Sequence, residues 1–127
     1  TSPRTSRRPG RCCMPRDERA YLSDVIGACD AILAAVTDLD LPTYQETRLV
    51  RSSVEREFII IGEALLSLGR ISPETFAGVT HARRIVDFRN QLTHQYPTVD
   101  DEIVWAIIEH DVPVLRRECT GILQASS

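Results

Sequence analysis

The chain has 127 residues, with 15 basic against 18 acidic side chains and a net charge of −3, a length that fits one compact domain. Every basic residue is Arg; the 13 residues before Met14 hold four of them and no acid, so residues 14–127 carry 11 Arg against 18 acids, a net −7. An acidic body excludes a general polyanion coat, which rests on many cationic phosphate contacts; no apolar run approaches the ~18 residues of a membrane span, and no apolar stretch follows the basic leader as a secretory signal requires.

Residues 1–13 read as a disordered leader or upstream extension, and residues 14–127 as a single helical domain with a cytoplasmic location. From Arg16 to Thr37 the apolar positions Leu22, Val25, Ile26, Cys29, Ile32, Leu33 and Val36 recur at three- and four-residue spacing, which predicts one helix with one buried stripe. Asp38 to Pro42 breaks it. Thr43 with Glu46 has the form of a capping box for a second helix that runs to about Gly69. Around Phe58-Ile59-Ile60-Ile61 this helix is apolar on every side, which predicts the most buried element. Gly62 stands in its middle, where glycine costs roughly 1 kcal/mol relative to Ala, so a close helix crossing is expected there.

Ser72-Pro73-Glu74 reads as an N-cap followed by proline at the first position of a short helical turn. A third helix is predicted over Thr80 to Gln95, with Ile85, Phe88 and Leu92 inward, and Pro97 ends it. The fourth begins near Asp100, whose acid-rich run Asp100-Asp101-Glu102 suits a helix N-terminus rather than a metal site. Pro113 falls inside its apolar pattern, which predicts a kink or break near His110 to Val112. No strand pattern appears. The expected fold is all-α, a four-helix up-down bundle with one extra short turn. Cys29 and Cys119 stand alone at helical positions and read as reduced core thiols.

The chemically capable side chains concentrate in the third helix, which from Thr80 to Tyr96 carries three Arg and two His against one Asp. At about 100° per residue, Asn90 and His94 share one stripe, and Arg89 and Tyr96 lie nearly on one line. Arg89 and His94 differ by about 140°, yet both can reach one pocket at the helix end. This set suits phosphodiester chemistry without a metal or cofactor. Attack by the RNA's own 2′-hydroxyl needs a group that moves a proton near neutral pH, and His is that side chain. Negative charge then develops on the phosphorane, which an Arg fork stabilises. Asn90 can orient the His94 ring, and Tyr96 can contact phosphate or stack on a base. The plainer alternative is that Arg89, Asn90 and His94 are ordinary surface residues and Tyr96 a packing residue.

The segment Arg89-Asn90-Gln91-Leu92-Thr93-His94-Gln95-Tyr96 resembles the R-x4-H-x-Y signature of the HepT-like ribonuclease toxins of the HEPN superfamily. Three further stretches in order are similar to the same family: the opening helix Arg16 to Ala31, Ile60-Ile61-Gly62-Glu63-Ala64 in the second helix, and Val99-Asp100, Ile103-Val104-Trp105 and Asp111-Val112-Pro113 in the last. The resemblance implies a HEPN-like homodimer in which two motifs meet in a cleft and cut RNA without a metal, Arg89 and His94 being catalytic. It implies a type VII HepT/MntA-like toxin–antitoxin pair, with a minimal nucleotidyltransferase as the antitoxin partner. It also makes Tyr96 a site of adenylylation, which would place bulk and negative charge over the Arg89/His94 pocket. The leader has no counterpart in the family.

Glu63, in the most apolar part of the second helix, is expected to be buried and to need a cationic partner, Arg89 or Arg56. Arg83 and Arg84 can widen the basic patch for RNA, although Arg83 with Asp87 also has the spacing of a surface pair. His81 and His110 look isolated, and Trp105 is expected in the core or a dimer interface. The competing function is a non-catalytic helical subunit that docks a minimal nucleotidyltransferase; a stable heterocomplex without ribonuclease activity would distinguish it.

Overall fold

A computed structural model describes residues 17–94 and 100–125. Tyr96, the leader with Cys12 and Cys13, and the proline at position 97 lie outside them. Helix α1 spans Glu18–Ala35, α2 Leu41–Glu46, α3 Arg48–Ile71, α4 Pro73–Ala77, α5 Ala82–His94, α6 Asp101–Ala106 and α7 Val112–Ala125, with a π-helical turn over Ile107–Asp111 joining the last two. Four helical legs result: α1, α3, α5 and the run from α6 through α7. Leg α1 packs on α3 and α7, and α3 packs on α5. The described residues contain no strand.

Local chemistry sets the helix starts. Asp17 caps α1 by accepting from the Ala20 amide at 3.1 Å, Ser72 caps α4, and Asp100 caps α6 by accepting from the Glu102 amide at 2.9 Å. The second leg starts differently from the expected capping box. Asp40 is the cap, accepting from the Thr43 amide at 2.9 Å, and its short helix ends at Glu46 before α3 begins at Arg48. Thr43 therefore lies inside α2, and its hydroxyl environment helps hold the Asp40 carboxyl below the usual carboxylate range. Before that cap, Asp38 takes φ 67°, a left-handed conformation that Asp tolerates in a turn.

The core joins all four legs. Leu22, Val25, Cys29 and Ile32 of α1 meet Phe58, Ile61, Leu65 and Leu68 of α3, Ile85 and Phe88 of α5, and Val104, Val112, Leu115 and Cys119 of the last leg. Phe58 and Phe88 pack edge to face at 5.1 Å. Tyr44 of α2 is fully buried and tilts against Trp105 at 5.3 Å, so the Trp serves the fold as packing. The apolar run of α3 is not buried all round: Phe58 and Ile61 are buried, whereas Ile59 and Ile60 are half-buried. Burial pushes both core thiols, Cys29 and Cys119, up to about 12.

Pro113 produces neither a break nor an interruption of the last leg. The helix widens instead into a π turn, with the Val112 amide bonding the Ile107 carbonyl five residues back. A widened turn makes room for a proline ring and removes the need for its missing N–H. No helix among the described residues is long and apolar enough to cross a membrane.

Candidate functional site

Gly62 and Arg89 create the site at the α3–α5 crossing. A Cβ at Gly62 would stand 2.3 Å from Arg89 Cβ and 2.5 Å from its Cγ, so only glycine lets α5 lie this close. The aliphatic stem of Arg89 fills that seat, leaving its side chain 20% exposed. The expected close crossing at Gly62 is present, and its occupant is the candidate catalytic arginine itself.

The guanidinium is then fixed at two points. Its Nη2 donates to Glu63 Oε2 at 3.2 Å, and its Nη1 donates to Asn90 Oδ1 at 2.9 Å. Glu63 immediately follows Gly62, so the residue that clears space for the arginine stem and the residue that holds its head are adjacent. Glu63 is not buried, as its apolar neighbours suggested, but 59% exposed on its side chain. A helix turns about 100° per residue, so an apolar run does not carry its neighbour inward. The pairing with Arg89 stands; Arg56 is not the partner.

Asn90 corrects a second expectation. Among the described residues its side chain bonds Arg89 rather than His94. Asn90, which holds the guanidinium, shares one helix stripe with His94. His94 ends α5 and is exposed. The Thr93 hydroxyl bonds back to the carbonyls of Arg89 and Asn90, both at 3.2 Å, which braces the last turn. Of the five N–H groups on a guanidinium, these two bonds leave one on each terminal nitrogen without a partner among the described residues, where Nε–H, which is buried, also has no acceptor.

The two other arginines of α5 separate. Arg84 is committed to the fold: its Nε lies 3.1 Å from Asp111 Oδ2, in the π turn. Asp111 is almost wholly buried, and His81 Nε2 approaches its other oxygen at 3.9 Å. The Arg84 contact has ion-pair distance without hydrogen-bond alignment, since Oδ2 accepts no hydrogen bond. His81 is thus not isolated, and the buried Asp111 was missed from sequence. Its one cue was helical spacing, four residues after Ile107 and four before Leu115 on the apolar stripe of the last leg. Arg83 remains exposed, with its guanidinium over the Phe76 ring at 5.3 Å rather than paired with Asp87.

The family model described as "Ribonuclease HepT-like" matches residues 25–122. "Putative RNase MJ1380" of Methanocaldococcus jannaschii is 30% identical over 103 residues, covering 81% of this chain and 94% of that protein. "Putative RNase MJ0125" of the same organism is 26% identical, covering 86% and 93%. "Probable ribonuclease HepT" of Thermococcus cleftensis is 26% identical over 107 residues, covering 81% and 93%. No solved structure matches the chain significantly.

Proposed function

The chain belongs to the HepT-like ribonuclease family, and from that premise we propose that it is an endoribonuclease working through Arg89 and His94 without a metal. The 2′-oxygen of the substrate attacks the adjacent phosphorus as its proton passes to a base, and the bond from phosphorus to the 5′-oxygen breaks, that oxygen taking up a proton as it leaves as a hydroxyl. His94 moves the proton, and the free N–H groups of Arg89 meet the charge that develops on the phosphorane. The observation that carries this reading is the seating of Arg89: stem against Gly62, head held by Glu63 and Asn90. An arginine fixed in advance needs no ordering at the moment charge appears.

Two copies of the chain bring two such helices to one cleft, and a nucleotidyltransferase antitoxin silences the pair by adenylylating Tyr96. The names of the relatives support the ribonuclease, and the spacing from Arg89 through His94 to Tyr96 supports the motif. The site is tested by incubating the wild type beside R89A and H94A with tRNA and mRNA in EDTA. Cleavage by the wild type alone is expected; cleavage that needs a divalent metal, or that persists in H94A, refutes the mechanism. Intact mass after co-expression with a minimal nucleotidyltransferase tests the modification, with a gain of one AMP lost in Y96F.

A further inference from the structure

Among the described residues several arginines are exposed with no acid partner, and two of them border one groove. Arg70, in the last turn of α3, and Arg83, on α5, are both exposed. With Leu66, Gly69, Pro73 and Phe76 they line a concavity of about 290 Å³ where α3, α4 and α5 meet. No carboxylate lines it. By contrast Arg84, Arg89 and Arg116 are each held by an acid: Asp111, Glu63 and Asp30.

The floor is aromatic by construction. Gly69 lets the Phe76 ring settle onto α3, since a Cβ there would stand 3.2 Å from the ring Cδ1. Arg83 lies over that ring at 5.3 Å, so its guanidinium is stacked on one side and open on the other. A cation–aromatic stack next to a second free arginine is the combination that holds an unstacked base together with a phosphate. Arg83 also borders a second, larger concavity on the other side, of about 500 Å³, shared with Asp87, Gln91 and Ile103. Its lining on α5 ends at Gln91, three residues before His94.

Resting on the reading of Arg89 and His94 as a nuclease centre, we infer that Arg70, Phe76 and Arg83 form a second subsite that grips single-stranded RNA away from the cut. Arg83 and His94 are eleven residues apart, about 16 Å along the helix. That separation corresponds to about five nucleotides at the stacked spacing of ~3.4 Å, fewer in a stretched strand.

The test is the salt dependence of binding to a fluorescent ten-nucleotide 2′-O-methyl RNA, which cannot be cut by attack of its own 2′-oxygen. Each phosphate contact on a single strand contributes about 0.7 to the slope of log affinity against log salt. R70Q/R83Q is expected to flatten the slope by about 1.4, and F76L to weaken binding about fivefold or more with the slope unmoved. R117Q, an exposed arginine of α7, is the control and keeps the wild-type slope. An unmoved slope in R70Q/R83Q, or an equal shift in R117Q, overturns the subsite. Cleavage of unmodified RNA by the wild type, run in parallel, reports on the nuclease reading by itself. With cleavage present and the slope unmoved, only the subsite falls; with the slope flattened and no cleavage, the subsite stands and the nuclease reading falls.

Discussion

Gly62→Ala sets helix preference against the geometry of the proposed site. Within an α-helix the exchange removes a penalty of roughly 1 kcal/mol, so on propensity alone the variant should be more stable. The crossing reverses that expectation. The added methyl would stand 2.3 Å from Arg89 Cβ, while carbon atoms in contact settle at ~3.5–4.0 Å. Arg89 Cβ is fixed to the α5 backbone and cannot swing away, so α5 must retreat from α3 by about 1 Å. Overpacking of this kind costs about 1–3 kcal/mol, so after the propensity gain the net loss is up to about 2 kcal/mol. The larger effect falls on chemistry. Moving Arg89 stretches its bonds to Glu63 and Asn90, and a displacement of about 1 Å can cost on the order of 100-fold in rate. The measurements are a thermal melt and the initial rate of RNA cleavage by G62A. G27A serves beside it, because nothing lies within 4 Å of a Cβ at Gly27; it should gain up to about 1 kcal/mol. A G62A protein as active and as stable as wild type would refute the claim that this glycine seats the arginine.

E63Q is expected to lower the cleavage rate while changing stability by less than about 1 kcal/mol, because a solvent-exposed ion pair contributes little to folding; unchanged kinetics would remove Glu63 from the positioning of Arg89. R84A, measured by denaturant unfolding, should lose about 1–3 kcal/mol because it strips the buried Asp111 carboxylate of its cation, whereas R83A should stay within about 0.5 kcal/mol of wild type. Cys29 and Cys119, raised from 9.0 to about 12 by burial, ionise earlier in the unfolded chain than in the folded one. The unfolded state then binds fewer protons between those values, so their contribution is intact below about pH 9 and is lost as pH rises toward 12. Folding stability should fall over that window, and less steeply in C29A/C119A.

The parts of the molecule legible in the sequence are those set by periodicity. The stripe from Leu22 to Ile32, the inward Ile85 and Phe88, and the Ser72 cap follow from spacing and local chemistry, and all are present. Gly62 was legible because an interior glycine in a long apolar helix needs a packing reason. What spacing cannot convey is where a side chain ends. Glu63 sits in an apolar stretch yet points to solvent, and the Asn90 amide turns to the preceding residue instead of the following helical turn. The Asp40 cap displaced the Thr43–Glu46 pattern because Pro42, lacking an N–H, is at home in the first turn of α2, directly after that cap. The partnership of Asp111 with His81 and Arg84 joins residues 30 and 27 positions apart, which no local pattern encodes.

The central claim, that Arg89 and His94 cut RNA by attack of the substrate's own 2′-oxygen, is tested most directly by the ends of the product. Purified wild-type protein is incubated with a defined RNA in EDTA, and the fragments are analysed by mass. Attack by the 2′-oxygen predicts a 2′,3′-cyclic phosphate on one fragment and a 5′-hydroxyl on the other, with neither formed by H94A. Fragments bearing 5′-phosphate and 3′-hydroxyl ends, or cyclic phosphate ends formed equally by H94A, would contradict it.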